Sequence, residues 1–253
     1  MIIKDITKIN FPSNLLKGKT IVISGSGSGI GRQVAKSFSK FGADLILFSK
    51  SEEKLESLFD ELNKDYSNNV IIQPLDLETA EEKDYEKIFR AIRDDYPKID
   101  GLINNAGILG ENKSLEQYSY VSWKNVLKVN LDASFLMTKS LMPLLRKSDN
   151  SSIIFTSSGV GRKGRAYWGA YSISKFATEA MMQILSEELQ NTSRVRVNCI
   201  NPGAVRTKMR ESAYPAENPK KNPPPIEIIE AYLYLMSDMS LEINGQSIDA
   251  QEH

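Results

Sequence analysis

Histidine is almost absent from this 253-residue chain: its one copy, His253, is the last residue. Ser-His-Asp triads, Cys-His pairs and His-ligated zinc sites are therefore excluded, and no metal site is expected. Any acid–base chemistry has to run on Tyr, Lys, Asp or Glu, or on a bound cofactor. Cysteine is as scarce. Cys199 stands alone and cannot close an internal disulfide; its setting, Val195-Arg-Val-Asn-Cys-Ile, is strand-like and reads as a buried, inert thiol. No apolar run approaches the roughly 18 residues of a membrane span, and Met1-Ile-Ile-Lys-Asp has none of the apolar core of a secretory signal. A cytoplasmic protein with no membrane partner is the expectation. Net charge is missing too. Lys+Arg and Asp+Glu both number 32, so nothing global favours nucleic acid as a partner.

What remains is an ordinary globular composition, 41% hydrophobic and 25% charged, enough for one domain over 1–253 with a sizeable core. Residues 1–18 read as an arm. Beyond it, short β-branched runs at 19–24, 44–48, 70–75, 100–104, 153–156, 195–200 and 246–249 read as strands. Helical patterns lie between them: a stripe of Ile30, Val34 and Phe38, then 52–64, 81–96, 120–147, 171–190 and a short one carrying Ile228, Ala231 and Leu235. Pro143 is expected to kink the helix at 120–147. Strands separated by helices give an α/β fold: a single doubly wound Rossmann-type domain, a parallel sheet of about seven strands with helices on both faces. The stretch 208–226 differs: from 211 on, Pro215, Pro219, Pro223, Pro224, Pro225 and the pair Lys220-Lys221 make it neither strand nor ordinary helix. It reads as a disordered insert or as a lid over the substrate; its place directly after Pro202-Gly203 favours the lid.

Ligands of such sheets bind beyond the carboxyl ends of the strands. Gly25–Gly31, Asp76 with Leu77, Asn104–Gly107, Ser158 and Pro202-Gly203 all follow strands, which argues for one extended site. The first cluster, Ser24-Gly25-Ser26-Gly27-Ser28-Gly29-Ile30-Gly31, joins a strand to a helix. Glycine lets backbone approach a pyrophosphate, and a helix N-terminus offers free N–H groups. A Gly/Ser turn without a ligand is the competing reading. Farther on, Tyr171 and Lys175 are four residues apart, one turn on one helix face. An ammonium beside a phenol is expected to lower its pKa from about 10 toward the range of a general acid or base. Ser158, at the end of the preceding strand, is placed to hydrogen-bond the same reacting oxygen. Tyr167 and Trp168 beside it read as an apolar pocket wall or as structural packing.

Together these residues resemble the short-chain dehydrogenase/reductase family, over about 19–250. The glycine turn is similar to that family's Thr-Gly-x-x-x-Gly-x-Gly, with Ser24 in place of threonine; Asn104-Asn-Ala106-Gly107 matches its Asn-Asn-Ala-Gly, and Tyr171 and Lys175 its Tyr-x-x-x-Lys. Ser158 stands thirteen residues before Tyr171, and Asn130 stands 28 before Ser158, as the family's serine and relay asparagine do. Pro202-Gly-Ala-Val-Arg-Thr207 resembles the Pro-Gly segment whose threonine holds the nicotinamide carboxamide. The run from Phe155 to Ala166, Trp168-Gly-Ala-Tyr and Asn198-Cys-Ile-Asn-Pro-Gly resemble one branch, the bacterial YciK-type oxidoreductases. Ser247-Ile-Asp-Ala-Gln departs from the Asp-Gly-Gly with which the family usually ends its last strand.

The resemblance implies an oxidoreductase that passes hydride between a nicotinamide and a small-molecule carbonyl or alcohol. Tyr171 would give or take the proton, Ser158 hold the carbonyl oxygen, Lys175 stabilise the phenolate and bond the nicotinamide ribose, and Asn130 anchor a relay water. Asn104, Ala106 and Gly107 would lie near the adenosine, and Pro202, Gly203 and Thr207 at the nicotinamide. It also implies a homodimer or homotetramer paired through the helices at 120–147 and 171–190. NADP(H) is the preferred cofactor, with NAD(H) accepted: the second strand ends at Ser49-Lys50, where an NAD enzyme wants a carboxylate. Lys50 would pair with the 2′-phosphate while Ser49 and Ser26 donate to it; Ser28, where many NADP-using relatives carry a base, weighs the other way, and a solvated Lys50 is the alternative. Two further readings stay open. One is a 3-oxoacyl-thioester reductase, with Arg162, Lys163, Arg165, Lys220 and Lys221 meeting an acidic carrier or phosphate; the other is a nucleotide-binding sensor or scaffold without turnover.

Overall fold

Seven parallel strands form one sheet in the order β3-β2-β1-β4-β5-β6-β7. The computed structural model describes residues 9–251; His253 and the first eight residues of the expected arm lie outside it. The strands are β1 (Thr20–Ser24), β2 (Asp44–Ser49), β3 (Val70–Pro74), β4 (Gly101–Asn104), β5 (Ser152–Thr156), β6 (Arg196–Asn201) and β7 (Ser247–Asp249). Val22 pairs with Ile46 on one side and Leu102 on the other. The central strands are continuous apolar runs because both sheet faces are covered. On one face α1 (Gly29–Lys40), α2 (Glu52–Asp65) and α8 (Ile229–Met236) pack Phe38, Leu58 and Leu235 against Ile21 and Ile103. On the other, α3 (Glu82–Asp95), α5 (Ala133–Leu145) and α6 (Gly169–Gln190) pack Tyr85, Leu141 and Met182 against Val22, Ile153 and Cys199. The single thiol is thus a fully buried core side chain. Among the described residues no helix is long and apolar enough to cross a membrane.

Chain order reverses direction between β1 and β4, and beyond their carboxyl ends a crevice opens. Two expectations need correction. The helix at 120–147 is not one element. It divides into α4 (Tyr120–Leu127), a π-helical turn over Lys128–Asp132, and α5, inside which Pro143 sits. Lys139, whose carbonyl the proline cannot engage, is solvent-exposed, so the missing bond is tolerated there. The π turn has a tertiary cause, since it places Asn130 where three hydrogen bonds to Ile108 and Ser174 await it. Nor is 211–226 without helix: α7 (Lys208–Ala213) overlaps it, and 3-10 turns follow at Pro219–Lys221 and Pro225–Ile228. Its prolines open those turns, where a missing N–H costs nothing.

Candidate active site

A cavity of 570 Å³ runs along the carboxyl edge of the sheet, lined by the glycine turn, the ends of β2 to β6 and α7. Its floor is the β1–α1 turn. Gly25, at φ 67°, lies so close to the next loop that a Cβ would stand 2.8 Å from the Ala106 Cα. Ser24 Oγ donates to the Ile103 carbonyl at 3.3 Å and accepts from the Asn105 and Ala106 N–H groups at 3.1 and 3.2 Å. Asn105 Nδ2 donates back to the carbonyls of Ser24 and Gly25. The turn and the segment after β4 are therefore one braced piece. Ser28 caps α1 in an extended conformation without a side-chain capping bond. The first-turn N–H groups beside Gly29 and Ile30 are left for an anion, with the positive end of the helix dipole behind them. Gly25, Ser28, Gly29, Ile30, Ser49, Lys50, Asp76, Leu77, Ala106, Gly107, Pro202, Gly203 and Thr207 all line this cavity. That set fits a dinucleotide: an anion cradle in the middle and Asp76 with Leu77 at one end.

Three expected cofactor positions and one expected catalytic residue do not line it. Ser26 is fully buried and donates to the Phe48 carbonyl at 3.1 Å, so it is turned into the fold and away from any 2′-phosphate. Gly31 is a packing glycine whose Cβ would run into the Gly25 carbonyl. Asn104 is buried and donates to Thr138 Oγ1 at 3.0 Å, while its neighbour Asn105 lines the cleft. Asn130 lies behind the wall: its Oδ1 accepts from the Ile108 N–H at 2.8 Å, and its Nδ2 donates to the Ile108 carbonyl and Ser174 Oγ, both at 3.0 Å. Nor is Lys50 an unengaged cation, since its Nζ pairs with Asp76 at 3.1 Å and Glu78 at 3.4 Å.

The far wall holds Ser158, Tyr171 and Lys175 together. Ser158 hydrogen-bonds the Tyr171 hydroxyl. Neighbouring Ser157 is buried, its Oγ without a partner among the described residues. Lys175 Nζ donates to the Thr156 carbonyl at 2.7 Å and lies 5.6 Å from the centre of the Tyr171 ring. The phenol is not lowered as expected. Burial pushes Tyr171 up to about 12, against the opposing effect of the Ser158 hydrogen bond. The same burial pulls Lys175 down to about 8, although Cys199 and Glu179 favour its charge. Desolvation wins because both groups are buried and the ammonium is spent on a carbonyl rather than on the phenolic oxygen. A phenol so placed keeps its proton at neutral pH and can deliver it to an oxygen that becomes more basic.

Trp168 forms the outer wall, its ring 5.6 Å from that of Tyr171 and 5.9 Å from that of Tyr214. Tyr167 does not line the wall; it is exposed, at φ 69°. Arg165 donates to the Tyr214 hydroxyl at 2.9 Å, and Tyr214 also stacks on Arg210, which pairs with Glu217 at 2.6 Å. The 208–226 segment is thereby tied to the loop after Ser158, and its Lys208, Met209, Arg210 and Ala213 line the cavity. Arg162 is turned onto Asp249 at 2.7 Å, and Lys220 and Lys221 do not line the cavity. Asn105, Trp168 and Arg206 are lining residues that sequence reading left out of the cofactor and catalytic set; for Asn105 the signal was its place beside Asn104, one residue past the strand.

The family profile for short chain dehydrogenase matches residues 19–218. This chain belongs to that family. It is 44% identical to the oxidoreductase YciK of Escherichia coli K12 over 238 residues, 94% of each chain. A short chain dehydrogenase of Shigella flexneri 2a, solved in complex with NADP, superposes with a TM-score of 0.93 at 43% identity, over 95% of this chain and all of that one. One from Escherichia coli CFT073, complexed with NADPH, gives 0.93 at 44% identity, again over 95% and 100%. At its last strand and just beyond it, Ser247, Asp249 and Gln251 engage the walls of the site.

Proposed function

We propose that the protein is an NADP(H)-dependent oxidoreductase that interconverts a small-molecule carbonyl and its alcohol. The observation that carries this reading is the meeting of Ser158, Tyr171 and Lys175 on one wall of the cleft whose floor is the glycine turn. The bound nicotinamide supplies the hydride. Ser158 holds the substrate oxygen, Tyr171 donates its proton to that oxygen, and Lys175, one turn on, answers the charge left behind. Asn130 acts from behind by fixing the Ile108 backbone and the Ser174 hydroxyl beside Lys175. Gly25, Ser28, Gly29 and Ile30 hold the pyrophosphate; Asp76, Leu77, Ala106 and Gly107 border the adenosine; Pro202, Gly203 and Thr207 border the nicotinamide. Trp168 and Tyr214 give the substrate an aromatic wall.

NADP(H) is preferred because Lys50 and Ser49 stand where a carboxylate would reject a 2′-phosphate, and related chains have been solved with NADP and NADPH. The ion pairs of Lys50 with Asp76 and Glu78 are exposed and hold it weakly, so a dianionic phosphate exchanges for them. The working form is an oligomer of identical subunits, a dimer or a tetramer. Oxidation of NADPH and of NADH, followed across a panel of carbonyl compounds, tests the proposal. Turnover with NADPH in preference to NADH supports it; tight NADPH binding with no turnover on any carbonyl would make the protein a nucleotide sensor instead.

A further inference from the structure

The polar end of β7 is tied to both walls of the cleft. Arg162, four residues after Ser158, donates from Nη1 to both carboxylate oxygens of Asp249 at 2.7 and 2.9 Å. Its Nε and Nη2 donate to Ser247 Oγ at 3.0 and 2.7 Å. Ser247 Oγ donates in turn to Glu179 Oε1 at 2.7 Å, and Glu179 is one turn beyond Lys175 on α6. On the other side, Asp249 Oδ1 accepts from Asn201 Nδ2 at 2.6 Å, and Asn201 Oδ1 accepts from the Gly203 N–H at 3.2 Å. Gln251 Nε2 donates to the carbonyls of Pro202 and Ala204 at 2.6 and 3.1 Å. One short strand thus grips the loop after Ser158, the helix of Lys175 and the Pro202-Gly203 loop.

The grip falls where the chain is otherwise soft. Gly159-Val160-Gly161 separates Ser158 from Arg162, and two glycines in three residues leave that turn little stiffness of its own. The turn also has no slack against α6, since a Cβ at Gly161 would stand 2.8 Å from the Cβ of Lys175. The Asp249 side chain is 11% exposed and that of Glu179 8%, so their charges are scarcely hydrated and the guanidinium between them is held in one geometry.

We propose that the Arg162–Asp249 pair is a positioning device: it holds the Ser158 loop and the Pro202-Gly203 loop at a fixed separation across the cleft. Arg162 touches no reacting atom and acts through Ser158. The proposal rests on the oxidoreductase reading for its effect on turnover, but not for its effect on the loops. Removing Arg162 would strand two buried carboxylates, so the test is Asp249→Asn, which keeps the shape and removes the charge. By hydrogen exchange on the full chain, segments 157–165 and 201–206 are expected to exchange about tenfold faster in this variant, with β1 and β4 unchanged. With NADPH and a carbonyl that the wild-type protein reduces, kcat is expected to fall roughly 10–100-fold, the loss typical of a misplaced reacting group. In a Ser158→Ala background the same change should cost no more than about twofold, because the residue it positions is gone.

Exchange in the two segments like that of the wild type overturns the clamp. An equal loss of kcat with and without the Ser158 hydroxyl overturns the positioning role. Should Asp249→Asn fail to fold, Ser247→Ala replaces it, loosening 157–165 alone; unchanged exchange there counts against the proposal. If the wild-type protein reduces no carbonyl, the function reading fails while the exchange measurement still decides the clamp.

Discussion

Burial pulls Lys175 from 10.5 to about 8, and that shift makes a prediction about stability as well as chemistry. Keeping the side chain charged at neutral pH in this setting costs about 3 kcal/mol, while its bond to the Thr156 carbonyl returns about 1 kcal/mol. Lys175→Met is therefore expected to melt a few degrees higher than the wild type at pH 7 while losing turnover. The sign with pH follows from the proton count. Between about 8 and 10.5 the unfolded lysine holds a proton that the folded one has released, so wild-type stability rises across this window and the gap to the methionine variant closes. Thermal melts at pH 7 and pH 10 check it, and a gap of equal size at both would refute it. Tyr171→Phe removes the phenolic proton and little volume. It should leave the melting temperature and NADPH affinity nearly unchanged and lower turnover by about 10²–10⁴-fold. Retention of more than about a tenth of the rate would sink the role of Tyr171 as acid. At the other end of the cleft, Glu78 competes for Lys50 at 3.4 Å and repels a 2′-phosphate. Glu78→Gln is expected to widen the NADPH preference, and Ser49→Asp with Lys50→Ala to reverse it, measured as kcat/KM for the two cofactors at low and high salt. An unchanged ratio in both variants would remove Lys50 from the specificity argument.

The π turn over Lys128–Asp132 exists to serve one side chain, since Asn130 satisfies both backbone groups of Ile108 from it. Asn130→Ala would take the side-chain partner from the partly buried N–H and carbonyl of Ile108, at about 1–2 kcal/mol, and loosen Ser174 one residue from Lys175. A drop in melting temperature of several degrees together with reduced kcat is the expected outcome; a loss of kcat with no loss of stability would contradict this account. The turn was invisible in the sequence because its cause lies 22 residues away at Ile108. The strands were legible for the opposite reason: buried on both faces, β1, β2 and β5 had to be continuously apolar between their polar ends. The site motifs were legible because they follow those strands at fixed spacing. The direction of the Tyr171 shift was not, since a neighbour at four residues can be read from sequence but desolvation is a property of the finished packing. The partners of Ser26, Lys50 and Arg162 were hidden likewise: Asp249 is 87 residues from Arg162 and lies on a strand whose polar stripe showed only as a departure from the family pattern.

At the scale of the molecule, α6 stands out among the described residues for an exposed apolar side. α6 packs Ala170, Met182 and Leu189 inward, yet Ile173, Phe176 and Ile184 run along its outer face, Ile184 at 57% exposure. Phe135 on α5 and Tyr120 and Val121 on α4 are exposed as well, Phe135 at 50%. A helix apolar on both sides is normally buried on both, and a surface that matches itself across a two-fold axis is the simplest cover for it. A pair of subunits joined through α6, α5 and α4 is therefore expected, with Lys175 and Tyr171 on the inner face of the same helix. Pairing would stiffen the backbone that carries them. Phe176→Glu with Ile184→Glu should halve the mass seen by light scattering at micromolar concentration without changing the far-ultraviolet circular dichroism. Met239 and Leu241, both exposed near β7, mark a second apolar surface, and Leu241→Glu should affect only a step from dimer to tetramer. A wild-type monomer at that concentration would leave α6 without its proposed cover. A dimer that survives both glutamates but falls apart with Leu241→Glu would move the pairing surface to the segment between α8 and β7.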